Sequence, residues 1–97
     1  MSGHDTRLES AQLGAVEVTR LRGEVLTVRA ATPRPPGTRV GLAEPGSPGQ
    51  LVQGKVTSVR AANPGPDARE WEIEIKLFAP SRAARTRLAE LSASRTQ

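Results

Sequence analysis

The stretch Trp71-Glu72-Ile73-Glu74-Ile75-Lys76-Leu77 decides the fold. Apolar side chains at 71, 73, 75 and 77 alternate with charged ones at 72, 74 and 76. A period of two sends the first set to one face and the second to the other, the pattern of a strand with one buried face. Trp71 shares the parity of Ile73 and Ile75 and is expected in the core. Phe78 has the opposite parity, so it faces solvent or a neighbouring helix.

Upstream, residues 51–61 form the longest apolar-rich strand, but the pattern slips. Val52 and Val56 share one parity while Leu51 and Val59 have the other. A bulge near Thr57-Ser58 reconciles them, because one extra residue reverses every side chain beyond it, and so does a strand bending around a barrel corner. Residues 15–21 alternate with Val16 and Val18 inward, Gly23 offers a turn, and residues 24–30 return with Leu26 and Val28 inward. Val25 then points outward, toward solvent or a partner. Residues 38–43 make a short strand with Val40 and Leu42 inward. The segments 32–37 and 44–50 are rich in Pro and Gly and read as loops, because proline lacks the N–H that a ladder needs. Residues 62–69 form a long polar hairpin loop.

Downstream, Pro80-Ser81 opens a helix with Ser81 as its N-cap. Ala84, Leu88 and Leu91 then fall at i, i+4 and i+7, one narrow apolar stripe, while Arg82, Arg85 and Arg87 cover the rest of its surface. At the other end, residues 1–14 are polar and read as a flexible segment. Thr6 to Glu9 has capping-box spacing, and Gly14 would end a short helix anchored by Leu8 and Leu13. The domain proper is residues 15–92, and 93–97 form a flexible tail. The expected fold is mainly β: a small antiparallel barrel or curled sheet of five to six strands with a C-terminal amphipathic helix.

The 97 residues suit one domain with a modest core. Leu, Ile, Val and Phe make up about a fifth of the chain, just above the level at which charged chains stay disordered. Cysteine is absent, so disulfides and thiolate metal sites are excluded. No run approaches the length of apolar residues that spans a bilayer, and the first residues have no apolar core like that of a secretory signal. A cytoplasmic location is the expectation. The net charge is +4. Arginine supplies all the basic residues except Lys55 and Lys76. The joint richness in Ala, Arg, Gly and Pro matches a GC-rich genome, which raises arginine without functional demand.

Little in the chain suggests catalysis, and the expectation is a non-enzyme without cofactor or metal. His4 lies in the polar N-terminal segment, and Asp5 and Asp67 lie in loop-like stretches. Glu72 and Glu74 are neighbours on one strand face, where a shared proton is conceivable but a solvated face is the simpler reading. The run Gly49 to Lys55 has the spacing of a phosphate-binding loop, yet Val56 replaces the Ser or Thr that would hold magnesium, and strand formers surround it. Nucleic acid is disfavoured as a partner: stacking on single strands needs aromatic platforms, and Trp71 and Phe78 are the only two aromatic residues.

The block from Leu26 to Leu91 resembles the PilZ domain family in the order of its parts. Leu26-Thr27-Val28-Arg29-Ala30 runs into Pro33-Arg34-Pro35-Pro36-Gly37-Thr38, similar to the family's proline-rich turn before a strand. Leu51-Val52-Gln53-Gly54-Lys55-Val56 is similar to its Gly-centred strand. The 73–78 strand ending in Phe and the 81–91 helix resemble its closing elements. The resemblance implies a bacterial signalling module. The family's known ligand is cyclic di-GMP, held by two arginines four positions apart and an Asp-x-Ser-x-x-Gly turn. Here no two arginines stand four apart, and the Asp, Ser and Gly positions fall on Arg20, Arg22 and Val25. The resemblance therefore implies a degenerate member acting through contacts with another protein. Val25, Phe78, Arg82, Arg85 and Arg87 are the candidate partner surface. Cyclic di-GMP bound by a non-standard set of Arg20, Arg22 and Arg29 is the second expectation, and a small nucleic-acid-binding barrel the third.

Overall fold

A computed structural model describes residues 7–46, 49–62 and 69–95. His4, Asp5 and Asp67 lie outside them. Six strands precede one helix: β1 (Arg7–Ser10), β2 (Gly14–Arg22), β3 (Val25–Ala30), β4 (Arg39–Leu42), β5 (Val52–Ala61), β6 (Trp71–Leu77) and α1 (Arg82–Arg95). The sheet order is β1-β2-β3-β6-β5-β4, with every pairing antiparallel. The sheet curls until its edges meet. Glu9 and Ala43 bridge β1 to the end of β4 through two backbone hydrogen bonds of 2.7 and 2.8 Å. The result is a nearly closed barrel, which hides edge groups that would otherwise recruit other strands.

The interior follows the alternation in the sequence. Val16, Val18, Leu26, Val28, Val40, Leu42, Val52, Val56, Ile73, Ile75 and Leu77 are buried in one cluster, with Trp71 and Val59 packed against it. The register of β5 and β6 shifts between Val56 and Ser58, where the parity slip requires it. Val59 and Ala61 thereby return to the inner face, opposite Ile73 and Trp71. A second shift, between Val18 and Arg20, has the same effect in β2. Without it Arg20 and Arg22 would point into the core. With Thr19 as the extra residue, Leu21 packs inward opposite Leu26, and both arginines face out.

Residues 7–14 correct the sequence reading, which made them a loose segment or a short helix. They form β1 and the turn into β2, with Leu8 and Leu13 fully buried. The Ser10 hydroxyl accepts the backbone N–H groups of Gln12 and Leu13, and Gly14 takes a left-handed φ of +76°. Only two large apolar residues serve the segment, but both insert fully.

The helix begins as expected: Ser81 Oγ accepts the N–H of Ala84 at 3.1 Å. Ala84, Leu88 and Leu91 are buried, and α1 packs mainly on β2. It runs on to Arg95, into the stretch expected as tail. No helix among the described residues is long and apolar enough to cross a membrane.

Candidate functional site: two cross-strand rows of charge

Strand register brings distant residues into rows across the outer face. One row reads Arg7, Glu17, Arg29, Glu72, Arg60 on β1, β2, β3, β6 and β5, each opposite the next. The charges alternate along five strands. Arg60 Nε donates to Glu72 Oε1 at 2.6 Å, and Arg29 lies 4.0 Å from Glu70 beyond the row. Opposite charges on facing strand positions contribute about 0.2–1 kcal/mol each, so this row helps hold the register.

Four residues along β3, about 13 Å away, a second row reads Arg22, Val25, Lys76, Lys55, Arg39 on β2, β3, β6, β5 and β4. It holds four cations and no anion. Arg22, Lys76, Lys55 and Arg39 are exposed, and Val25 is half-buried between them. Lys55 stands directly opposite both Lys76 and Arg39. Like charges so placed oppose folding. Glu24, in the β2–β3 turn, relieves one end: its carboxylate lies 3.2 Å from Lys76 Nζ and 3.2 Å from the Arg85 guanidinium of α1. Arg22, Lys55 and Arg39 form no ion pair among the described residues.

Phe78 follows β6 at the flank of this row, where its N–H donates to the Gln53 carbonyl at 2.8 Å. It is the only large apolar side chain exposed among the described residues, at 42%. The Arg39 guanidinium lies 6.0 Å from its ring centre, the outer limit of a cation–π contact. Ala79 behind it has a left-handed φ of +42°, uncommon for alanine, as the chain swings from β6 toward α1. A shallow hollow of about 180 Å³ opens beside the ring, lined by Arg39, Gln53, Gly54 and residues of the β1–β4 seam.

The residues expected as sites are distributed over these rows. Arg29 is flanked by Glu17 and Glu72, and its Nε is buried without a hydrogen-bond partner. Arg20 lies in an intermediate row beside Thr27 and Glu74. Arg22 belongs to the cationic row. The three arginines therefore occupy three successive rows on the outer face. Of the expected partner surface, Val25 and Phe78 lie in or beside the cationic row, while Arg82 is exposed at the start of α1. Arg85 joins the row through Glu24. Arg87 does not present a free cation. It binds Glu44 after β4, with Nε to Oε1 at 3.0 Å, and Glu90 at 3.4 Å, pinning α1 to the barrel. Its pKa is raised above the ordinary arginine value, chiefly by the hydrogen bond to Glu44. Lys55, the lysine of the phosphate-loop-like spacing, sits on a strand, not at a helix N-terminus.

Sequence reasoning missed Lys55, Lys76 and Arg39. Each is polar at an outward position, and only the register makes them neighbours. A depression of about 600 Å³ over the β1–β4 seam has Glu9 as its single ionisable side chain and offers nothing to an anion. No family model, no curated protein and no solved structure matches the chain.

Proposed function

We propose that the protein is a non-catalytic bacterial regulatory or adaptor domain of PilZ-like type that acts by binding another protein. The observation that carries this reading is the contrast between the two rows. One outer row alternates cation and anion across five strands, so this fold can interleave its surface charges. The other sets four cations beside an exposed phenylalanine, and Glu24 compensates only Lys76, so Arg22, Lys55 and Arg39 oppose one another at a cost in stability. Surface features of that kind are retained for binding. The cyclic di-GMP reading is less well supported, because Arg29 is flanked by carboxylates and only Arg20 and Arg22 remain.

Photo-crosslinking in the native host tests the proposal. A crosslinking residue is placed in turn at Val25, Phe78, Arg85 and, on the neutralised row, Arg7. The expected result is one and the same protein captured from at least two of the first three positions and not from Arg7. Failure to capture a specific protein at any position would overturn the reading.

A further inference from the structure

Resting on that reading, we infer the chemistry of the partner: an acidic protein segment with an apolar side chain among its carboxylates, lying along Arg39, Lys55 and Lys76 with that side chain against Phe78. The charge argument is direct. Three cations on adjacent strands, about 4.8 Å apart, repel one another; Glu24 answers only Lys76, and among the described residues Lys55 and Arg39 lack anions of their own. Carboxylates supply those anions, and arginine forks onto them.

The shape of the strip selects a peptide over a nucleic acid. It is a single row wide. Glu74 lies one step away on β6, two residues before Lys76, and uncharged Gln53 and Phe78 form the next step on the other side. A duplex would press its second line of phosphates toward the Glu74 side. A single strand gains its affinity from successive aromatic platforms, and here Phe78 stands alone, because Trp71 is packed against the core. A lone exposed ring beside a hollow of about 180 Å³ suits one apolar side chain. The anionic residue already at the strip, Glu24, shows the geometry on a small scale. One carboxylate there is shared by Lys76 and Arg85.

Fluorescence anisotropy at physiological salt tests this with three labelled probes: a short Glu/Leu peptide, the same peptide with Ser for Leu, and oligo(dT). The wild-type chain is expected to bind the Glu/Leu peptide most tightly. The double variant Lys55→Gln, Lys76→Gln should lose about tenfold or more in affinity for both peptides, equivalent to about 1.4 kcal/mol. Phe78→Ala should weaken only the Leu-containing peptide. Arg60→Gln, on the neutralised row, should stay within about twofold, well under that tenfold step. Melting curves of all variants confirm that they fold. Equal loss in Arg60→Gln would mean that overall charge alone attracts the peptide, and tighter binding of oligo(dT) would assign the row to nucleic acid. Either result overturns the inference. It fails alone if crosslinking captures a protein while the peptide does not bind, and both readings fail if neither occurs.

Discussion

Lys55 and Lys76 face each other as direct partners across β5 and β6, both on the outer surface and both exposed. Arg39 faces Lys55 from the other side. The same barrel, four residues further along β3, alternates its charges over five strands. The difference shows that the cationic row is not forced by the architecture.

Lys55→Glu would place a carboxylate between two cations and extend the alternating pattern. The expected gain is about 0.5–1 kcal/mol, or roughly 2–8 °C in Tm for a domain of this size. The same variant should lose acidic-peptide binding, trading function for stability. An unchanged or lower Tm would show that the opposed cations do not repel appreciably.

Leu8→Ala tests the strand that the sequence did not reveal. Leu8 is fully buried in the core. Truncating it should cost about 2–5 kcal/mol, read as a lower urea midpoint with unchanged slope. A midpoint like that of the wild type would mean that β1 is dispensable and the barrel closes without it.

Gly54→Ala probes a close approach between β5 and β6. A Cβ there would lie 2.5 Å from Ile75 Cγ2 and 2.6 Å from the Lys76 carbonyl oxygen. Backbone and a packed β-branched side chain cannot move aside cheaply, so a loss of about 1–3 kcal/mol is expected. A neutral result would indicate that β5 and β6 separate easily at this point. The Gly-centred motif read in the sequence thus acquires a packing reason.

Cyclic di-GMP is expected to leave the melting curve unchanged. A ligand at a hundred times its Kd would add about 2.7 kcal/mol, a shift far outside error. Such a shift would return Arg20 and Arg22 to the centre of the account, and their reversal to Glu would be the next test.

Most of the barrel was legible because one face of each strand is buried and the period of two is strong. Even the bulge at Thr57-Ser58 could be read, since Val56 and Val59 cannot both face inward in a regular strand. The bulge at Thr19 was not read, because Val16 and Val18 alone satisfy the pattern and Leu21 does not announce its side. β1 escaped because Leu8 and Leu13 straddle a turn and share no regular period. The cationic row was invisible for a different reason. Arg39, Lys55 and Lys76 are far apart in sequence, and each alone looks like ordinary strand polarity. Pairing register, which hydrophobic pattern fixes only after the fold is known, makes them a row. Arg87 looked free and is not, since its partner Glu44 lies beyond β4.

The central claim is that the unneutralised row is a docking strip, and chemical-shift mapping on the isotopically labelled chain tests it most directly. Titration with the Glu/Leu peptide should move the amide signals of Arg39, Lys55, Lys76 and Phe78 together along one binding curve, leaving Arg7, Glu17 and Arg60 in place. Shifts centred on the neutralised row or spread evenly over the barrel would contradict it.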